Sequence, residues 1–209
     1  MIRGKSVRFG TSVGDAVAVG GGPRKAGSAS VARALVLATS LVVLLPATAT
    51  AQQTMLPQDL ASAYQVLDAA WDEAPLSFAA LAFAEAPATG YGQYTPRGDA
   101  VFGAGDTLTV YAEPVGFGHE KTETGYGVRL SAGFELLNMS GQVLAEQTGF
   151  ADLRADSRNR LREFHATLSF AFEGLRPGDY RLVTTLTDTV SGKTASAEMP
   201  FTVTAPAAQ

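Results

Sequence analysis

The run YGVRLSAGFELL, residues 126–137, alternates without a break: Tyr126, Val128, Leu130, Ala132, Phe134 and Leu136 fall on one side of an extended chain. Arg129, Ser131 and Glu135 fall on the other. A period of two fits a half-buried strand and rules out a helix, whose apolar positions recur every three or four residues. The pattern returns in TLTVYAEP (107–114), YRLVTTLTD (180–188) and TASAEMPFTV (194–203). In REFHATLSFAFEG, Phe164, Ala166, Leu168, Phe170 and Phe172 point inward, and Glu163, His165, Thr167 and Ser169 outward. Shorter runs at 81–86 and 142–149 bring the expected number of strands to about seven. NMSG, GLRPGD and VSGK supply turns between them, and AVFGAG and AEMPF read as strand flanks. Strands with one dry face each bury it by packing two antiparallel sheets together, so the expected fold is an all-β sandwich.

The N-terminal quarter has a different grammar. Six basic residues between Arg3 and Arg33 precede ALVLATSLVVLL, residues 34–45, and then TATAQQ. A basic region, about a dozen apolar residues and small side chains at Ala49 and Ala51 predict a signal peptide, residues 1–51, cleaved before Gln52. The apolar run is shorter than the ~20 residues that cross a bilayer, so no membrane span is expected after cleavage. Next, Leu60, Tyr64, Leu67 and Trp71 share one helical stripe over 58–73, with Pro57 suited to the first turn and Pro75 blocking continuation. The expected organisation is a helical arm at 52–78, a sandwich domain at 79–205 and a tail at 206–209. The arm either caps its own domain or recruits a partner.

Charge and cysteine content narrow the chemistry. Cleavage leaves ten basic and nineteen acidic side chains in the exported chain, a net charge of −9. Such a surface repels nucleic-acid phosphates and anionic lipids, which disfavours both as partners. With no cysteine in the chain, thiol catalysis and cysteine-ligated zinc are excluded, and stability must come from packing. Export places the protein in the periplasm or outside the cell.

GLRPGDYRL, with Leu175, Pro177 and Tyr180, resembles the loop-to-strand corner of fibronectin type III and other immunoglobulin-like domains, which implies an immunoglobulin-like sandwich. In that setting the Tyr180 hydroxyl bonds backbone a few residues upstream. The paired cysteines of antibody domains are missing, and Trp71 lies outside the strands. ATGYGQYTP, VFGAGDTLTVYAEPVGFG and PGDYRLVTTLTDTVSGKTASAEMPFTV also resemble segments of uncharacterised secreted bacterial β-sandwich proteins. That likeness implies export and fold, and carries over no activity and no site residue.

Several side chains are candidates for function. Tyr91 and Tyr94 of GYGQY and Phe117 of GFG are aromatics in glycine-containing loops, able to stack on sugars, grip a protein or plug the ends of a core. Arg154, Arg158, Arg160 and Arg162 crowd DLRADSRNRLR, read as a loop that docks an acidic partner, with Arg154, Arg158 and Arg160 as its candidate contacts, or pairs with its own Asp152, Asp156 and Glu163. HEKTE, 119–123, combines His119 with two glutamates but reads as a solvated loop, and His165 as a surface histidine. Asp188 is a candidate for calcium, although no spaced Asp/Asn loop surrounds it. Asn138-Met139-Ser140 matches a glycosylation sequon within a hairpin turn. No GxSxG elbow or convergent catalytic set is visible, and no cofactor is expected. The leading expectation is a non-enzymatic binding or structural module of the cell envelope, engaging an envelope or extracellular protein. The alternatives are a carbohydrate-binding module using the loop aromatics, and a metal-dependent hydrolase using His119 and His165.

Overall fold

A computed structural model describes residues 56–205, so the leader with its cleavage site and the tail at 206–209 lie outside the described residues. One helix, α1 (Gln58–Glu73), precedes nine strands: β1 (Ser77–Phe83), β2 (Val101–Gly103), β3 (Thr107–Val115), β4 (Glu120–Thr122), β5 (Gly125–Asn138), β6 (Val143–Ser157), β7 (Ala166–Ala171), β8 (Gly178–Asp188) and β9 (Thr194–Thr204). The helix ends where its stripe predicts: Ala74 turns extended, and its N–H closes the last turn on the Ala70 carbonyl at 3.1 Å. No helix among the described residues is long and apolar enough to cross a membrane.

The strands form two sheets. One has the order β1-β3-β7, all antiparallel. The other runs β2-β9-β8-β5, with β4 and β6 both pairing with β5. Tyr126 of β5 faces Lys121 of β4 and Ser157 of β6, so these two flank it on opposite sides. Every pair is antiparallel except β2 with β9, which is parallel over Val101–Gly103.

The core lies between the sheets and uses the alternate positions the sequence sets aside. Val128, Leu130, Ala132 and Leu136 face Leu108, Val110, Leu168 and Phe170, all at most 2% exposed. Phe134, Phe150, Phe170 and Phe172 form a ring cluster, with Phe134 5.3 Å from Phe170 edge to face. A second cluster joins Phe83, Phe102, Phe201 and Tyr180.

Some strand expectations need correction. Nine strands replace the expected seven, because β2 and β4 have three residues each and offer no period to read. AVFGAG is therefore more than a flank: buried Phe102 pins β2 against Phe83 and Phe201. The first strand starts at Ser77 and ends at Phe83, where 81–86 was expected, since a bulge between Phe78 and Ala80 hides the alternation. β6 continues to Ser157, so the first half of DLRADSRNRLR is strand and not loop. There Arg154 alternates outward between buried Leu153 and Ala155.

The turns follow their sequence signals. Asn138 Oδ1 accepts from the Ser140 and Gln142 amides, so the sequon asparagine builds its own hairpin turn. At the β7–β8 connection, the Tyr180 hydroxyl donates to the Arg176 carbonyl at 2.8 Å, four residues upstream. Its ring stacks on Phe201, which ties the corner to the core.

Candidate functional site

Two polar clusters bring candidate residues together. The first joins α1 to the sandwich. Trp71, the last residue of the helical stripe, sets its ring edge to face on Phe117 at 5.1 Å and donates its indole N–H to the Phe117 carbonyl at 2.8 Å. Asp68 and Asp72, one turn apart on α1, meet Arg160 and Arg162 of the β6–β7 connection. Arg160 grips Asp72 in a fork, with Nη1 on Oδ2 at 2.9 Å and Nη2 on Oδ1. Arg162 pairs with Asp68 and lies over the Tyr64 ring. The guanidinium of Arg160 holds the Asp72 carboxyl below its ordinary value, and Asp72 in turn raises Arg160.

Lys193, in the β8–β9 hairpin, completes the joint. Its ammonium donates to the carbonyls of Asp72 at 2.8 Å, Ala74 at 2.6 Å and Gly116 at 3.0 Å. A cation at a helix C-terminus satisfies carbonyls that the helix cannot and complements its dipole. The hairpin is itself anchored by Asp188, which is wholly buried. Its carboxylate accepts the Gly118 amide at 2.5 Å, the Val190 amide at 2.9 Å and the Ser191 hydroxyl. Asp188 thus fixes the segment carrying Phe117 against the hairpin carrying Lys193.

His119 sits inside this joint, half-buried among Trp71, Phe117 and Tyr126. Its Nε2 lies 2.7 Å from the Leu161 carbonyl, and its Nδ1 3.2 Å from Arg160 Nη2. A carbonyl only accepts and a guanidinium only donates, so these contacts select the neutral ring with its proton on Nε2. Burial is the main cause of a pKa lowered from the ordinary value. The expectation of a solvated HEKTE loop is corrected here. Glu120–Thr122 is β4, and Glu120 pairs with Arg129 at 2.9 Å.

The second cluster lies on the outer face of the β1-β3-β7 sheet. Tyr111 points away from the main core yet is 0% exposed, because the chain from 84 to 97 folds over it. Tyr94 stacks on it at 3.8 Å. Its hydroxyl accepts the Gly92 amide at 2.6 Å and donates to Glu113 at 2.5 Å. The Ala88 amide donates to Thr167 Oγ1 at 3.1 Å, which pins the flap to β7. Burial raises the Tyr111 and Tyr91 hydroxyls above their ordinary values, with Glu113 adding to both. His165 is partly covered beside Tyr111, its pKa lowered by burial, and is not the exposed surface ring expected.

The expected site residues therefore scatter. Tyr91 is 36% exposed on the flap, while Tyr94 is occupied by its stack on Tyr111. Phe117 is 0% exposed beneath Trp71 and offers no free face. Arg154 pairs with neighbouring Asp152 at 3.1 Å, both side chains 66% exposed, and such pairs contribute little. Arg158 is exposed, and Arg160 serves the α1 joint. Among the described residues no three His, Asp or Glu side chains converge as a metal site would need. Asp68, Asp72, Lys193 and Tyr111 were not singled out as contacts, and Trp71 only as part of the helical stripe. One sequence signal could have found the joint: α1 carries only acids, and RNRLR only bases.

α1 itself is incompletely covered. Its three other stripe residues, Leu60, Tyr64 and Leu67, are each 44% exposed, and no residue of the helix is buried. No family model matches the chain, and no curated protein is detectably similar to it.

Proposed function

We propose that this chain is an exported, non-enzymatic sandwich of immunoglobulin-like topology that binds a protein partner of the cell envelope through α1. Three features support the topology. The order β1-β3-β7 faces β9-β8-β5-β6, the short β2 pairs in parallel with the last strand, and Tyr180 bonds back to Arg176.

The observation that carries the binding reading is the stripe of α1. Trp71 is docked, while Leu60, Tyr64 and Leu67 on the same stripe each stand 44% exposed, with the Arg162 guanidinium over the Tyr64 ring. A helix presenting anchors at i, i+4 and i+7 is the usual cargo of an apolar groove. The charge on α1 sets the groove's rim. It carries neither lysine nor arginine; Asp68 and Asp72 are engaged by Arg160 and Arg162, while Asp59 and Glu73 stand exposed, so the partner is a protein with an apolar groove edged by Lys and Arg. The sandwich serves as a rigid base that holds the helix by its last turn.

Photo-crosslinkers placed at residues 60, 67 and 91 in intact cells test this. The expected result is one envelope protein captured from 60 and 67, with its linked peptides in an apolar groove flanked by basic residues. Leu67→Asp should abolish capture from 60. Capture confined to residue 91, or recovery of glycan alone, would overturn the reading in favour of the flap aromatics.

A further inference from the structure

We propose that the joint between α1 and the sandwich is an acid-released latch, with His119 as its sensor. This deepens the reading of α1 as the binding element, by giving that element a regulator, but the latch itself rests on the geometry of the joint alone.

The neutral ring is built into the closed state. His119 accepts from Arg160 on Nδ1 and donates to Leu161 on Nε2, so its one proton is already placed. A second proton can only go to Nδ1, where it would face Arg160 Nη2 at 3.2 Å, donor against donor and cation against cation. Arg160 cannot yield, because it has no acceptor form. It must move, and with it goes the fork on Asp72 that holds the last turn of α1.

The surrounding charges set the balance. Arg160 and Arg162, from the β6–β7 connection, oppose an imidazolium. Asp72 of α1 favours one, but its two oxygens are already engaged by Arg160. Asp68 is held by Arg162 and Arg160, Lys193 of the hairpin is turned onto carbonyls, and Tyr126 of β5 presents its ring. Burial adds to the cost of charging the ring.

The sign follows. The docked ring titrates below the ordinary imidazole value, so the undocked chain takes the proton first as pH falls. Docking is at full strength well above pH ~6.5 and weakens progressively below it. A separate weakening follows at lower pH, as the depressed Asp72 carboxyl is protonated and the Arg160 fork is lost. Freed, Trp71 would join Leu60, Tyr64 and Leu67 on one continuous exposed stripe.

Trp71 is the sole tryptophan, so its fluorescence reads the latch directly. The purified protein, with no partner present, is titrated from pH 8 to pH 3 while emission maximum, acrylamide quenching and far-ultraviolet dichroism are followed. The expected result is a red shift and rising quenching with a midpoint below the ordinary imidazole value, while the β-sheet signal holds. A Gln side chain can reproduce both contacts without titrating, so His119→Gln should erase this step and keep only the carboxylate step. His165→Gln, at the other histidine, should leave the step in place. A Trp71 signal that stays flat until the sheet unfolds overturns the latch, as does a step that survives His119→Gln or disappears with His165→Gln. Because no partner is present, a flat titration removes the latch and leaves the docking reading standing. Failure to capture a partner does the reverse.

Discussion

Replacing Asp188 tests whether one buried carboxylate holds the helix joint and the last hairpin together. Asp188→Asn keeps the volume and removes one acceptor. If its remaining oxygen stays on the Val190 amide, its NH₂ must face the Gly118 amide and Ser191. The serine hydroxyl can turn and accept, so that contact costs little. The Gly118 N–H cannot turn. It loses a bond to a charged acceptor, and the total loss should be about 2–3 kcal/mol. Asp188→Ala leaves two backbone donors without the carboxylate, at a cost of about 3–4 kcal/mol. For a domain of this size the Asn variant should lower Tm by roughly 5–10 °C. Urea unfolding should show a lower midpoint with an unchanged slope, which separates lost stability from a changed denatured state. Because Gly118 follows Phe117, Trp71 quenching should also rise before global unfolding. An Asn variant within ~0.5 kcal/mol of the parent, the level of a neutral surface change, would refute the reasoning.

Two further changes probe the frame. Tyr180→Phe removes the bond to Arg176 but keeps the ring against Phe201, so urea unfolding should show a loss of about 1 kcal/mol. Equal stability would count against a corner role. Gly116 adopts φ +76° where an added Cβ would overlap the Pro75 carbonyl oxygen, so Gly116→Ala should cost about 2–3 kcal/mol and loosen α1. A calorimetric melt as stable as the parent's would mean the backbone there is free to move.

What could be read in advance depended on whether the signal was local. The helix at 58–73 was legible because its stripe and its prolines lie within the element. The inward faces of β5, β7 and β9 were legible for the same reason, since a two-residue period fixes a side whatever the strand pairs with. β2 and β4 carry no such signal: pairing partners, and for β2 the burial of Phe102, define them. Outward parity likewise implied that His165 and Thr167 would be solvated. The flap from 84 to 97 covers that face instead, so Thr167 is only 8% exposed.

The candidate site was the least legible part. Period, turn chemistry and composition determined that the chain forms strands with one dry face, that a helix precedes them and that the charge beyond residue 51 is acidic. They did so because each is a property of neighbouring residues. Only the tertiary structure decided which charges meet. Asp72 and Arg160 lie 88 residues apart, Trp71 and Phe117 46 apart, and Gly118 and Asp188 70 apart. Sheet topology brings those pairs together, and no local pattern records them. The same packing gave Trp71 a carbonyl to bind and left Leu60, Tyr64 and Leu67 each 44% exposed, although all four belong to one stripe.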